Sequence, residues 1–196
     1  WHYLHHLFPA NPFLVCGLDM AGWDIYGKMK RQQLHQLWGL DTDKAPLTDF
    51  TIGIADIPTM ILKMKERPWP IYKIKVGFEN DVETVAALRQ HTDAVFRVDA
   101  NAAWDLETAM LKIPLLKELG VELVEQPLAK DNWEGMKILY EKSALPLFAD
   151  EACVSERDVA KCAGHFHGIN TGLDISYSFG MFFSIEQVHI NIGLSA

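Results

Sequence analysis

The sequence lacks the features that are typical of secreted, membrane-embedded and nucleic-acid-binding proteins. It has only three cysteines, and without an even, closely spaced framework these favour a reducing compartment. No apolar run approaches the roughly 18–20 residues of a membrane span, and no signal-peptide pattern opens the chain. The formal net charge of −8 argues against a surface for phosphate backbones, which needs clustered lysine and arginine. We expect a cytoplasmic protein without nucleic-acid or membrane partners.

The chain has instead a globular composition, with 49% apolar and 22% charged residues, and a regular alternation of two patterns. Short β-rich stretches predict strands over 50–55, 71–76, 95–100, 121–126, 145–150 and 166–170. Segments with helical periodicity lie between them, over 58–66, 80–91, 105–119, 133–142 and 155–163. Six strands that alternate with five helices imply an α/β fold with a parallel sheet.

Polar residues at the carboxyl ends of the strands indicate which parallel fold this is. Lys75, Asp99, Glu125 and Asp150 end four successive predicted strands, one βα unit apart. In a (β/α)8 barrel, successive strand ends converge on one mouth, where the active site lies. An open sheet would spread them along an edge. The sequence therefore predicts a TIM-type barrel.

Two lysines share one face of the second predicted strand, because side chains alternate faces and Lys73 and Lys75 are two residues apart. In a barrel this face is the interior, where ammonium groups need anionic partners. Asp99, Glu125 and Asp150 would supply them, but three carboxylates at one mouth repel each other unless a cation is bound. Oxygen-only ligands suit Mg²⁺ rather than zinc. The alternative for each carboxylate is a solvated position at a strand end.

Four short motifs resemble the enolase superfamily, in its muconate-lactonising subgroup. They are KIK (73–75), VDAN (98–101), VEQP (124–127) and ADE (149–151). The stretch 13–39 is similar to the helical segment that precedes the barrel in that subgroup. Within the subgroup the sequence is most similar to the dipeptide epimerases of the L-Ala-D/L-Glu type. The supporting stretches are FTIGIAD (50–56), RVDANAAW (97–104) and VEQPLAKDNWEGMKIL (124–139).

The resemblance implies a Mg²⁺-dependent isomerase, an epimerase whose small-molecule substrate is a dipeptide. Members of the family remove a proton from the carbon next to a carboxylate, and Mg²⁺ stabilises the resulting enediolate. Lys75 matches the acid/base lysine, and Lys73 matches the lysine whose charge assists the substrate carboxylate. The metal ligands of the family match Asp99, Glu125 and Asp150.

Further positions match supporting residues of the family. Thr51 corresponds to a position that contacts the substrate in dipeptide epimerases. Asn101 and Gln126 are expected to orient the metal ligands from behind. Glu151 leaves two interpretations open, since its side chain could orient a neighbouring lysine or lie exposed to solvent.

The sequence also departs from the family. The expected organisation is a helical segment over 1–49, barrel strands one to six over 50–170 and a divergent tail over 171–196, in which 188–194 could form a seventh strand. Gly172 stands where the sixth strand of the family carries a second acid/base lysine. Because a full barrel needs ~250 residues, we expect an incomplete barrel of about six to seven strands, without most of the amino-terminal capping domain. Unpaired strand edges would favour a homo-oligomer.

Other functions remain open at this point. Cycloisomerases and o-succinylbenzoate synthases of the same superfamily share the expected metal site. A truncated, catalytically impaired homologue that keeps a metal-binding barrel fragment is a further alternative, because glycine at position 172 cannot donate a proton.

Overall fold

A computed structural model describes residues 2–8, 10–45, 47–154, 156–170 and 189–190. The expectations for Gly172 and for most of the 171–196 tail lie outside these residues. The division of the chain at residues 49 and 170 stays a prediction. Among the described residues, no helix combines the length and the apolar character needed to cross a membrane.

Strands and helices alternate along most of the described chain. The strands β1–β7 are Phe50–Ile52, Ile71–Lys75, Val95–Asp99, Val121–Glu125, Leu147–Ala149, Gly168–Asn170 and His189–Ile190. The α-helices α1–α8 are His2–Leu7, Pro12–Lys30, Leu34–Leu37, Ile57–Glu66, Asp81–Arg89, Leu106–Glu118, Trp133–Lys142 and Glu156–Cys162, and a 3-10 helix spans Thr42–Lys44. Each of the six predicted strands and five predicted helices is present, most of them shorter at the ends than predicted.

The strands form one sheet in the order β1-β2-β3-β4-β5-β6-β7. Neighbours from β1 to β6 pair in parallel. Every strand therefore lies beside the next one in the sequence, as in a barrel wall, without the order reversal of a doubly wound sheet. The predicted parallel α/β fold is confirmed in this part of the chain.

The seventh strand differs from what a regular barrel would have. Only 189–190 of the stretch 188–194 are described, and they pair with β6 in the antiparallel direction, Ile169 with Ile190 and Asn170 with His189. This short strand supplies hydrogen-bond partners to part of the outer edge of β6.

Local sequence signals explain where the helices begin. The side chains of Asp56, Asp105 and Asn132 each accept a hydrogen bond from the backbone N–H three residues later, at the starts of α4, α6 and α7. Such caps satisfy amide groups that have no partner inside the helix. They fix the points at which the chain leaves the loops after β1, β3 and β4.

Alternation along the strands separates an apolar layer from a polar one. Ile74, Val98 and Val124 are buried in one hydrophobic cluster with helix residues such as Leu88 and Ile113. The residues next to them in the strands have the opposite side-chain direction, because successive side chains point to opposite faces. The lysines and carboxylates predicted from the sequence therefore lie on the face away from the helices.

Candidate active site

Three carboxylates meet at the carboxyl end of the sheet. Asp99 and Glu125 end β3 and β4 and are register partners, and Asp150 directly follows β5. Each offers one oxygen, and these oxygens all lie within 4.8 Å of one another. Asp99 and Glu125 are buried, so the cluster is not a set of solvated strand ends. The structure thus brings together the three residues that the sequence predicts as metal ligands.

Both lysines of β2 reach this cluster, at different depths. The Nζ of Lys73 lies 2.9 Å from Oδ2 of Asp99 and 2.6 Å from Oε1 of Glu125, and the Lys73 side chain is 0% exposed. The Nζ of Lys75 lies 2.6 Å from the same Asp99 oxygen, and its side chain is 25% exposed. Lys73 therefore lies beneath the carboxylates, whereas Lys75 lies at their rim.

The pKa values of Lys73 and Asp150 are both raised in this cluster. Burial disfavours the charged form of Lys73, but the negative charges of Glu125 and Asp99 outweigh burial and raise the pKa of this lysine. Burial, followed by repulsion from Glu125 and Glu151, raises the pKa of the Asp150 carboxyl to about 7. A site that resists the ionisation of one carboxylate in this way has an excess of negative charge, and a cation would neutralise it.

The chemistry of the clustered atoms indicates which kind of cation the site fits. The clustered atoms are all carboxylate oxygens, which are the ligands of Mg²⁺ and other hard cations rather than of zinc or copper. The residues present therefore fit Mg²⁺.

Gln126 supports the cluster through the backbone. Its Oε1 accepts hydrogen bonds from the N–H groups of Asp150 and Ala152, both at 3.0 Å, and its Nε2 donates to the carbonyl of Leu128 at 2.9 Å. The side chain is buried. Gln126 thus holds the chain on both sides of Glu151 through the backbone N–H groups of Asp150 and Ala152.

 The role of Gln126 in orienting the metal ligands stays a prediction, and the contacts that would serve it run to main-chain atoms.

Asn101 and Glu151 form hydrogen bonds next to Lys75, at the more exposed edge of the carboxylate cluster. The Nζ of Lys75 donates to Oδ1 of Asn101 at 2.8 Å, and the backbone N–H of Asn101 donates to Oδ1 of Asp99 at 2.9 Å. The Nδ2 of Asn101 in turn donates to Oε1 of Glu151 at 3.0 Å. Asn101 has a φ of 43°, in the left-handed region that asparagine tolerates better than most residues. Of the two interpretations of Glu151, these contacts favour the orienting one, acting on Lys75 through Asn101.

Thr51 lies on β1 beside the lysines. It is the register partner of Lys73, and its side chain is exposed. Its predicted contact with a substrate stays a prediction.

Sequence reasoning missed Asn170, the last residue of β6. Its Nδ2 donates to Oε1 of Glu125 at 2.8 Å, and the side chain is buried. The signal was present, because Asn170 is a polar residue that ends an apolar strand one βα unit after Asp150. This is the pattern that revealed the carboxylates.

Asp81, at the start of α5, was also missed. Its Oδ1 accepts from the N–H groups of Gly77 and Phe78 at 2.9 and 3.0 Å. Its Oδ2 accepts from Nε1 of Trp104 at 2.8 Å and from Nζ of Lys112 at 2.7 Å. This buried carboxylate therefore ties the loop after β2 to the loop after β3 and to α6.

The order of these residues on successive strands agrees with a known protein family. Residues 60–166 match the family model described as enolase C-terminal domain-like. The chain belongs to this family. The resemblance to the enolase superfamily and the TIM-type barrel class predicted from the sequence are confirmed.

Two curated relatives extend the match beyond the barrel strands. An L-Ala-D/L-amino acid epimerase of Flavobacterium johnsoniae is 50% identical over 173 residues, which are 88% of this chain and 52% of the relative. An L-Ala-D/L-Glu epimerase of Bacteroides thetaiotaomicron is 38% identical over 175 residues, 87% of this chain and 45% of the relative. The chain thus spans about half the length of the curated relatives it matches.

A solved structure shares the fold of the described chain. It is a dipeptide epimerase of Cytophaga hutchinsonii in complex with Mg and the dipeptide D-Ala-L-Val. The TM-score is 0.66 at 26% sequence identity, with 72% of this chain and 41% of that chain covered.

Proposed function

We propose that this protein is a Mg²⁺-dependent dipeptide epimerase of the L-Ala-D/L-Glu type. The observation that carries the proposal is the joint arrangement of Lys73 and Lys75 with three carboxylates on consecutive strand ends. The names of the relatives, L-Ala-D/L-amino acid epimerase and L-Ala-D/L-Glu epimerase, support the substrate class.

Asp99, Glu125 and Asp150 would hold the metal ion. The oxygen-only donor set and the excess negative charge around Asp150 support this assignment. When bound, a divalent cation supplies positive charge that stabilises the negative charge developing on the substrate carboxylate.

Lys75 is the proposed base. It is the more exposed of the two lysines, and Asp99 and Asn101 hold its Nζ at the rim of the cluster. As a neutral amine it takes the proton from the carbon next to the substrate carboxylate. The C–H bond breaks, its electron pair passes into the carboxylate, and the proton is later returned to carbon. Positioned acid–base groups of this kind contribute typically about 10²–10⁴-fold to a rate.

Lys73 has a different proposed role. It is buried, and its contacts with Glu125 and Asp99 stabilise its ammonium form. It therefore provides a fixed positive charge near the reacting carboxylate and does not exchange protons with the substrate. Thr51, on the neighbouring strand, is proposed to contact the dipeptide.

The alternative functions in the same superfamily, cycloisomerase and o-succinylbenzoate synthase, act on substrates other than dipeptides, so a comparison of substrates distinguishes them from the proposed one. We would incubate the purified protein with Mg²⁺ and, in turn, L-Ala-L-Glu, a hydrophobic dipeptide, cis,cis-muconate and the substrate of o-succinylbenzoate synthase. The proposal predicts turnover of a dipeptide, detected by NMR as exchange of its α-proton in D₂O. Turnover of muconate or of the synthase substrate without dipeptide exchange would contradict it. An absence of turnover with every substrate, in protein that binds Mg²⁺, would favour the catalytically impaired homologue.

Cellular location and association are proposed from the cysteines and the sheet edge. The small number of cysteines, all three of them buried, is consistent with the reducing cytoplasm. Association into a homo-oligomer is proposed from the outer edge of β1, which pairs with β2 alone in the described part of the chain. Sedimentation of the purified protein at several concentrations tests the oligomer directly.

A further inference from the structure

We propose that Asn170 is a positioning residue, which holds the carboxylate of Glu125 in the orientation that binds the metal ion. The inference rests on the proposed metal site. It starts from one contact, the hydrogen bond of 2.8 Å that Nδ2 of Asn170 donates to Oε1 of Glu125.

Two donors hold this oxygen from strands on either side of β4. Glu125 ends β4, and Lys73 on β2 and Asn170 on β6 each lie two strands away from it, in opposite directions. Both donate to the same Oε1, Lys73 at 2.6 Å and Asn170 at 2.8 Å. In barrels of this type, alternate strands contribute the side chains of one interior layer. One such layer contains Lys73, Glu125 and Asn170. Glu125 is the middle one of these three, because β4 lies between β2 and β6.

The contact with Glu125 fixes which way the amide of Asn170 is turned. Its Oδ1 is buried and has no hydrogen-bond partner within the described part of the chain. The opposite orientation of the amide would place this oxygen against the carboxylate of Glu125, which is less favourable. A buried polar atom without a partner costs stability, so this orientation of the amide calls for an explanation. The contact with Glu125 provides one.

The neutrality of the amide matters for the metal ion. Lys73 already gives Glu125 a positively charged partner, and a second ammonium group would oppose the binding of a cation. An amide N–H fixes the carboxylate without adding a charge. Asn170 can therefore restrict the orientation of Glu125 while the cluster keeps its attraction for Mg²⁺.

The test compares three substitutions at two adjacent positions of β6, residues 169 and 170. Asn170→Leu removes the donor at similar size, and Asn170→Ala removes it without adding bulk, in case leucine prevents folding. Ile169→Ala is the matched control, because Ile169 is equally buried but belongs to the hydrophobic cluster. Mn²⁺ is the probe, and its dissociation constant is measured by isothermal titration calorimetry, with the melting temperature of each variant measured without metal.

We expect the Asn170 variants to bind Mn²⁺ about 10–100-fold more weakly, as is typical for the loss of a residue that orients a metal ligand. Ile169→Ala should lower the melting temperature and leave the dissociation constant nearly unchanged. Parental affinity in both Asn170 variants would overturn the role of Asn170 while leaving the metal site intact. Equal weakening in Ile169→Ala would overturn it as well, since the effect would then be general. A parent protein that binds no Mn²⁺ would overturn the metal site and this inference together.

Discussion

Lys73 and Glu125 form an ion pair that is removed from solvent, with 2.6 Å between Nζ and Oε1. The two residues lie on β2 and β4, with β3 and its Asp99 between them. Replacing a buried ion pair by apolar residues is often neutral or stabilising, so such a pair is weak evidence for a role in stability. Its place among three clustered carboxylates is better explained by the chemistry of the site.

Loss of Lys73 should destabilise the protein when no metal is bound. Lys73→Ala leaves Glu125 and Asp99 buried without this counter-charge, and breaking a buried pair costs about 3–5 kcal/mol. Urea denaturation should show this decrease in the free energy of unfolding. Lys28→Ala is the control, because Lys28 pairs with Asp24 at 2.6 Å on the exposed surface of α2, where such pairs contribute little. A loss no greater in Lys73→Ala than in Lys28→Ala would show that the buried charges do not need Lys73.

Substitution of Asp150 should weaken metal binding. Asp150→Asn removes one of the three clustered carboxylates and keeps its approximate size. Titration with Mg²⁺ or Mn²⁺ should show one site in the parent and a markedly weaker one in the variant. Asp131→Asn, at an exposed position in the loop after β4, should bind as the parent does. Unchanged affinity in Asp150→Asn would remove Asp150 from the set of ligands.

The stabilisation by Mg²⁺ should increase with pH. Without metal, the pKa of Asp150 in the folded protein is raised to about 7 from its ordinary value of 3.8. Between these values the folded state binds more protons than the unfolded state, so this group's contribution to stability is lost as the pH rises towards 7. Below pH 7, Mg²⁺ must displace the proton of the Asp150 carboxyl in order to bind. Well above pH 7 this carboxyl is already ionised, and no proton has to be displaced. The rise in melting temperature on adding Mg²⁺ should therefore be larger at pH 8 than at pH 6, and an equal rise would contradict the raised pKa.

Gly172 leads to a prediction about stereochemistry. Inversion needs a proton donor on the face of the substrate opposite Lys75, and glycine has no side chain that could serve. If no other group replaces it, exchange of the α-proton should exceed epimerisation by about 10²–10⁴-fold, the usual contribution of one acid–base group. NMR in D₂O measures deuterium incorporation and the appearance of the second diastereomer in the same sample. Equal rates would show that another residue serves as the second acid.

The fold was predictable because its signals are repeated along the chain. Each βα unit has an apolar strand, and four consecutive strands end in a charged residue, from Lys75 to Asp150. The depth difference between Lys73 and Lys75 was not predictable, because alternation places both on the same face without saying how far each lies from solvent. The antiparallel direction of β7 was not predictable either, since periodicity does not specify the direction of pairing.

The two missed residues escaped prediction for different physical reasons. Asn170 has no charge, so a search for ionisable groups at strand ends passes over it. Asp81 lies at the start of a helix, where acidic residues are common for reasons of helix stability alone. Its partners come from the loops after β2 and β3 and from α6, and only the tertiary structure brings these segments together.

Removal of the α-proton of a dipeptide by Lys75 is tested most directly by one measurement. The protein, Lys75→Ala and the control Lys63→Ala, whose lysine is exposed on α4, are each incubated with Mg²⁺ and L-Ala-L-Glu in D₂O. The loss of the glutamate α-proton signal is then followed by NMR. We predict exchange by the parent and by Lys63→Ala, and none above background by Lys75→Ala. Exchange by Lys75→Ala at the parental rate would contradict the account.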